Sequence, residues 1–244
     1  MQIPEKTFLT KKCELCESDF ESNGDVKPLR VMQLMQNVAT AHAEQLGVGW
    51  NTLNDNAMLW VLSKVKIVFA RPLTRNTEWF SLYTWPLAPN RFYSERCFTA
   101  TEGDRPLFFA TSLWTMISRD ERKILPATTM NEFYRGEYSS VQGDVDSDFC
   151  RVRFDDTFEF CYEKTIRRSD LDKNGHVNNT NYVVIAEDAL APEQHVSAME
   201  IVYHKELKLG DKVSVFVKTQ NNRVFVVGRR VEETCFTVAF TLGF

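Results

Sequence analysis

The second half of the chain contains the stretch Ser169-Asp170-Leu171-Asp172-Lys173-Asn174-Gly175-His176-Val177, and the first half contains Ser18-Asp19-Phe20-Glu21-Ser22-Asn23-Gly24-Asp25-Val26. Five of the nine residues are identical without a gap. Residues 65–73 and 199–207 form a second matching pair, which keeps Ile, Val and Leu at the same positions. Because both pairs also occupy equivalent places in the order of predicted elements, the sequence predicts an internally duplicated architecture.

Hydrophobic periodicity predicts in each half a strand, then a helix, then four further strands. In the first half these elements cover residues 8–19, 27–46, 58–69, 78–85, 91–101 and 107–118. In the second half they cover residues 158–168, 180–190, 197–207, 212–219, 223–231 and 235–242. Residues 131–156 contain Gly, Ser and Asp without clear periodicity, which is typical of a surface linker. We therefore expect an α+β protein with an N-terminal repeat at 1–130, a linker at 131–156 and a C-terminal repeat at 157–244.

The composition argues against nucleic-acid binding and against a membrane span. The chain has 244 residues, of which 43% are hydrophobic and 25% charged, so it can bury a core. Its 29 Lys and Arg residues against 33 Asp and Glu residues give a net charge of −4, which argues against a nucleic-acid partner. No stretch approaches the roughly 18 apolar residues of a membrane span, and the first residues do not resemble a signal peptide. We expect a cytoplasmic protein.

The six cysteines are too scattered for a disulfide scaffold. Cys13 and Cys16 form a C-x-x-C motif, but a structural zinc site needs four ligands and no second pair supplies them. A redox motif would lie at a helix N-terminus, whereas the residues around this pair alternate like a strand. The sequence therefore predicts free thiols and no metal site.

The two copies differ at chemically important positions. His176 stands opposite Asp25, and Glu206 stands opposite Pro72. A structural turn needs the Asn-Gly pair, which both copies keep, but it does not need the imidazole or the later carboxylate. We therefore expect one catalytic site, in the C-terminal half.

If residues 172–176 are extended, Asp172, Asn174 and His176 project to one side and form a polar cluster. Asn178 is a good N-cap, so the cluster would lie at a helix N-terminus. The backbone amides of Val177 and Asn178 would then be candidates for an oxyanion hole. The alternative is that this segment is a turn and capping sequence with a structural histidine.

Residues 167–179, Arg-Arg-Ser-Asp-Leu-Asp-Lys-Asn-Gly-His-Val-Asn-Asn, resemble the signature of the acyl-ACP thioesterases. Residues 57–62, 84–85, 112–116 and 203–206 also resemble segments of that family, so the resemblance covers nearly the whole chain. It implies a double hotdog fold, in which each antiparallel sheet wraps one long helix. Because no transit segment precedes the first repeat, we expect a bacterial relative of the plant enzymes.

The resemblance also implies the site residues. The family's D-x-N-x-H motif falls on Asp172, Asn174 and His176, and its downstream catalytic glutamate falls on Glu206. Plant members have a cysteine after that glutamate, whereas this chain has Leu207. A cysteine nucleophile at this position is therefore excluded, and attack by water is the better hypothesis.

The implied activity is hydrolysis of fatty acyl-ACP to free fatty acid and ACP in fatty acid biosynthesis, without a cofactor. The implied partner is acyl carrier protein with its phosphopantetheine-linked acyl chain, and a homodimer stays open. The sequence does not divide the roles of Glu206 and His176, nor does it exclude direct attack by the carboxylate. The alternatives are a hotdog acyl-CoA thioesterase, a 3-hydroxyacyl dehydratase and a non-catalytic acyl-binding module.

Two further sets of residues are candidates for binding. The resemblance implies that the N-terminal repeat, with its degenerate site, forms much of the acyl tunnel, and candidate lining residues are Met32, Met35, Val38, Trp60 and Leu62. The alternative for each of them is an ordinary role in the hydrophobic core. A local basic surface should dock the acidic ACP, and its candidates are Arg167, Arg168, Lys173, Lys205, Lys208, Arg229 and Arg230.

Overall fold

The structure, a computed structural model, describes residues 1–243. Its first half contains β1 (Leu9–Glu14), α1 (Pro28–Gln45), α2 (Trp50–Asp55), β2 (Met58–Phe69), β3 (Trp79–Pro86), β4 (Ser94–Glu102), β5 (Arg105–Ser118) and β6 (Ile124–Leu125). Its second half contains β7 (Glu159–Thr165), α3 (Asn179–Glu187), β8 (Val196–Tyr203), β9 (Lys212–Gln220), β10 (Arg223–Arg230) and β11 (Glu233–Leu242). Short 3-10 turns lie at Glu17–Asp19, Ala127–Glu132 and Arg168–Asp170.

All strands belong to one antiparallel sheet, ordered β1-β3-β4-β5-β2-β8-β11-β10-β9-β7, with the short β6 beside β5. The first five strands and the last five follow the same order outward from the β2–β8 junction. That junction pairs residues from Lys64 opposite Val202 to Val68 opposite Ala198. The two halves are therefore related by an approximate twofold arrangement, as two hotdog repeats require.

The helices lie against the sheet and against each other. Apolar residues at helical spacing on α1, such as Val31, Met35 and Val38, are buried. Helices α1 and α3 contact each other, and one hydrophobic cluster includes residues of both helices and of both halves of the sheet. The α+β class predicted from the sequence is confirmed.

Several boundaries differ from the sequence prediction. The first strand ends at Glu14 rather than 19, because the Asp19 amide donates to the Cys16 carbonyl at 2.8 Å and closes a 3-10 turn. Helix α2 and β6 were not predicted. Both are too short to show a full hydrophobic period.

Residues 133–156 contain no helix or strand. They pack against the sheet instead of extending into solvent, since the Trp85 indole donates to the Val141 carbonyl at 2.9 Å and Lys66 pairs with Asp146 at 2.9 Å. Within residues 1–243, none of the helices is long and apolar enough to cross a membrane.

Candidate active site

Residues 172–176 form a tight turn. The Asp172 amide donates to the His176 carbonyl at 2.7 Å, and Gly175 has a φ of +79°, which a residue with a side chain rarely adopts. The extended conformation considered above is therefore wrong. Asn-Gly strongly favours a turn, and it overrides the strand that precedes it.

The Asp172 carboxylate holds this turn together. Its Oδ1 accepts from the amides of Asn174 at 2.8 Å and His176 at 3.2 Å, and its Oδ2 accepts from the Asn174 side-chain amide at 3.3 Å. Asp172 thus positions Asn174 directly, and it positions His176 through the backbone.

The turn brings His176 next to Glu206. The Nε2 atom of His176 lies 3.4 Å from Oε2 of Glu206, which is 40% exposed. Backbone pairing fixes this approach, because the Val177 amide donates to the Leu207 carbonyl at 2.9 Å. The acid–base pair predicted from the comparison of the two copies is therefore close in space.

The N-terminal half adds a residue that the sequence did not reveal. Arg122, in the turn after β5, donates from Nη2 to Oε2 of Glu206 at 2.7 Å. Because 84 residues separate this pair along the chain, no local motif could have indicated it. Oε1 of Glu206 accepts no hydrogen bond from residues 1–243, so that oxygen is open to water.

The amides proposed for the oxyanion hole are already engaged. The Val177 amide donates to Leu207, and the Asn178 amide donates to the Asp170 carbonyl at 2.9 Å. The prediction that these two amides bind the oxyanion is therefore wrong, because backbone pairing and helix capping use them. Asn178 is the N-cap of α3, as predicted, and its side chain accepts from the Thr180 amide at 3.0 Å.

The backbone amide of Asn179 is a candidate for the oxyanion hole in their place. Asn179 is the first residue of α3 and lines the cavity in front of His176. Among the described residues, no acceptor takes a hydrogen bond from its amide. The Tyr203 hydroxyl fixes this residue by donating to the Asn179 carbonyl at 2.9 Å. An amide free at a helix N-terminus can stabilise a developing negative charge.

His176 and Glu206 open into a cavity of about 660 Å³ that both halves line. Trp60 and Leu62 are part of its wall. Met32 and Met35 instead line a separate void of about 10 Å³ next to Leu62, and Val38 lines neither space. Helix α1 turns Ala39, Thr40 and Ala43 toward the large cavity, because its earlier turns pack into the core. A tunnel role for Met32, Met35 and Val38 stays a prediction.

The basic residues considered for docking fall into three groups. Lys173 and Lys205 line the cavity mouth, with Lys173 Nζ 3.7 Å from the centre of the Trp50 ring. Arg229 and Arg230 are partly neutralised by acidic neighbours, namely Glu232 at 3.1 Å and Asp211 at 2.8 Å. The remaining three residues are exposed and form no ion pair within residues 1–243, and they are Arg167, Arg168 and Lys208.

The N-terminal copy has a cavity of its own at the equivalent place. It measures about 510 Å³ and is lined by Asn23, Asp25 and Pro72, the counterparts of Asn174, His176 and Glu206. His195 of the other half contacts Asp25, with Nδ1 2.6 Å from Asp25 Oδ2, but it does not line this cavity. The chain thus retains two equivalent cavities, one of which has lost the imidazole and carboxylate of the motif.

Comparisons with known proteins identify the family. The family model for the acyl-ACP thioesterase N-terminal domain matches residues 6–135, and the model for the C-terminal domain matches residues 155–234. A palmitoyl-acyl carrier protein thioesterase from chloroplasts of Gossypium hirsutum is 27% identical over 72% of this chain. The chain spans 46% of that relative's length.

Solved structures share the fold. An acyl-ACP thioesterase from Bacteroides thetaiotaomicron superposes with a TM-score of 0.84 at 23% identity, covering 97% of this chain and 98% of that one. A 12:0-ACP thioesterase from Umbellularia californica superposes with a TM-score of 0.81 at 16% identity, covering 99% of both chains. The double hotdog fold is confirmed. With family models matched over both halves, this chain belongs to the acyl-ACP thioesterase family.

Proposed function

We propose that the protein hydrolyses the thioester between a fatty acyl chain and the phosphopantetheine arm of acyl carrier protein. The observation that carries this proposal is the approach of His176 and Glu206 to 3.4 Å at a cavity of about 660 Å³ that both halves line. Membership of the family supports the reaction class. The same geometry also supports the catalytic roles of Asp172, Asn174 and His176 expected from the motif.

In the proposed reaction, a water molecule attacks the thioester carbonyl carbon and loses a proton to Glu206, directly or through His176. Such general-base assistance typically accelerates a reaction by about 10²–10⁴-fold. The carbon–sulfur bond then breaks, the proton taken from water passes to His176, and His176 delivers it to the leaving thiolate. The products are a free fatty acid and the thiol of the phosphopantetheine arm.

The positions of Arg122 and Glu206 define where the water sits. Arg122 and His176 both face Oε2 of Glu206, so the open Oε1 is the oxygen that accepts the proton from water. The side-chain amide of Asn174 and the backbone amide of Asn179 are the donors available to the carbonyl oxygen. Loss of one such donor typically lowers the rate by about 10²–10³-fold.

The proposed partner is acyl carrier protein. Its acidic surface would meet the basic residues around the cavity mouth, which steer an anionic partner toward the site. Arg167, Arg168 and Lys208 are the best candidates, because no described acidic side chain neutralises them. Docking next to the mouth would place the thioester beside the His176–Glu206 pair.

The repeats of one chain form the whole site, since Arg122 comes from the first half and His176 from the second. We therefore propose the boundaries 1–130, 131–156 and 157–244 for the two repeats and their connection, with most of the acyl wall in the first repeat. A homodimer is not required for catalysis. We propose a cytoplasmic location.

Release of free thiol from acyl-ACP and acyl-CoA of equal chain length, measured side by side, tests the proposal. We expect faster release from acyl-ACP, because only this substrate brings the protein surface that meets the basic residues. Faster release from acyl-CoA would favour an acyl-CoA thioesterase. Conversion of a 3-hydroxyacyl chain without thiol release would favour a dehydratase, and tight acyl binding without turnover would favour a non-catalytic module.

A further inference from the structure

The acyl cavity contains a buried arginine that the proposed reaction does not use. Arg96 lies on β4, lines the cavity and is 8% exposed. Its Nη1 donates to His42 Nδ1 at 3.1 Å and to the Thr84 hydroxyl at 3.3 Å. Among residues 1–243 no carboxylate forms an ion pair with it.

The neighbours of Arg96 do not compensate its charge. Burial lowers the pKa of Arg96 only to about 10, so the guanidinium is protonated at neutral pH. Burial and the neighbouring Arg96 lower the pKa of His42 to about 4, so this imidazole is neutral and accepts the hydrogen bond. A buried positive charge without an anion is unfavourable, and an acceptor brought by a ligand would offset that penalty.

The unused donors of Arg96 face the cavity. Nε and Nη2 of Arg96 and the hydroxyl of Ser94 form no hydrogen bond with the part of the chain that the structure describes. Each of these atoms retains some solvent-accessible surface. Arg96 and Ser94 both line the large cavity, which provides that surface.

The acyl chain, and not the phosphopantetheine arm, is the part of the substrate that contacts Arg96. The thioester carbon must lie at His176 and Glu206, where the side chain of Glu206 is 40% exposed. The phosphopantetheine arm reaches the exposed Glu206 from solvent, whereas Arg96 is buried, so a group that contacts Arg96 belongs to the acyl chain.

We propose that Arg96 is a specificity-determining residue, and that the preferred acyl group carries an oxygen acceptor, a carboxylate or a hydroxyl, at the end distant from the thioester. This inference rests on the proposed thioesterase function and names its substrate class. A methyl-terminated chain of the same length would bury the guanidinium donors without a partner. Hydrogen bonds to a charged group should favour the oxygenated chain by about tenfold to a hundredfold in kcat/KM.

The test compares acyl-ACPs of equal length that end in a methyl, a hydroxyl or a carboxylate group, over a series of lengths. For the wild-type protein we expect the highest kcat/KM with an oxygenated chain. In Arg96→Met this preference should reverse, with faster turnover of the methyl-terminated chain, because the apolar side chain leaves no unpaired donor. The exposed Arg105 lies outside the cavity, so Arg105→Met is the matched control and should keep the wild-type preference.

Equal or higher kcat/KM for the methyl-terminated chain at every length would overturn the inference and leave the thioesterase function intact. Calorimetric binding of free dicarboxylic and monocarboxylic acids to the wild-type protein and Arg96→Met provides a readout without turnover. Tighter wild-type binding of the dicarboxylic acid, lost in the variant, supports the role of Arg96 even if no thioester is hydrolysed. Equal binding of the two acids by the wild-type protein contradicts it.

Discussion

At the scale of single residues, Glu206 connects the two halves of the molecule. Its Oε2 atom faces His176 from one repeat and Arg122 from the other. The exposed ion pair with Arg122 contributes little to stability, typically about 0–1 kcal/mol. Its effect is to restrict the carboxylate to one orientation next to the imidazole.

We therefore predict that Arg122→Met lowers kcat about tenfold or more, since misplacing a catalytic group by about 1 Å can lower a rate 10²-fold. KM and the melting temperature should change little. Arg122→Lys should recover part of kcat, because it restores the charge but not the planar donor geometry. Arg151→Met, at an exposed position, serves as the control. Wild-type kcat in Arg122→Met would show that this contact does not position Glu206.

The residue after Glu206 explains why a thiol mechanism does not apply here. Leu207 is 0% exposed, belongs to the main hydrophobic cluster and does not line the cavity. We predict that Leu207→Cys gives no gain in kcat and destabilises the protein by about 2 kcal/mol, because it removes buried apolar volume. Steady-state kinetics and urea unfolding measure the two effects. A higher kcat that a thiol-alkylating reagent abolishes would contradict this account.

At the scale of elements, the sequence predicted what depends on periodicity and missed what depends on contacts between distant segments. Strand β2 has the predicted bounds, because twelve residues show a clear pattern. For residues 172–176 the sequence allows either an extended segment or an Asn-Gly turn, and the fold has the turn. The amide of Val177 could not be recognised as engaged, because its acceptor, Leu207, lies 30 residues later in the chain and joins it only in the fold.

Helix α3 contains a glutamate, Glu187, whose pKa is raised. Glu187, near its C-terminal end, lines the second cavity, and burial together with the nearby Glu21 and Asp188 raises its pKa to about 8. Between its usual pKa of about 4.5 and 8, the folded protein holds a proton that the unfolded chain releases. The contribution of Glu187 to stability is therefore lost as the pH rises through this range.

We predict that Glu187→Gln becomes more stable relative to the wild-type protein as the pH rises from 6.5 to 8. This window avoids His42, whose lowered pKa of about 4 affects stability only below about 6.5. Urea unfolding of both proteins at several pH values measures the difference. A constant difference across the window would mean that Glu187 is ionised in the folded protein.

At the scale of the whole molecule, the duplicated sequence predicted the order of elements in the two repeats. It did not predict the contact between Arg122 and Glu206. This contact forms only because one repeat packs on the other. Arg96 is a second example. Its position on β4 is ordinary in the sequence, and only the fold shows that it lines the cavity. Residues that act across a repeat interface leave no spacing motif.

The distribution of charge leads to a prediction about the partner. We predict that the triple variant Arg167→Glu, Arg168→Glu, Lys208→Glu raises KM for acyl-ACP about tenfold and leaves hydrolysis of a short acyl-pantetheine thioester unchanged. The reason is that complementary charge on the two protein surfaces promotes docking, and salt should weaken the wild-type interaction in the same way. Reversing the exposed Lys11, Arg105 and Arg151 to Glu, none of which lines the cavity, gives a matched change of charge elsewhere. A KM insensitive to both salt and the triple variant would contradict this docking surface.

The central claim is that His176 and Glu206 form the acid–base pair of a thioesterase, and the counterpart position in the other repeat supplies a control. The decisive measurement is the rate of free-thiol release from acyl-ACP by His176→Ala, Glu206→Gln and Asp25→Asn, each verified as folded by its melting temperature. We predict that the first two variants lose about 10²–10⁴-fold in kcat, while Asp25→Asn keeps the wild-type rate. Wild-type turnover in a folded His176→Ala or Glu206→Gln variant would contradict the account.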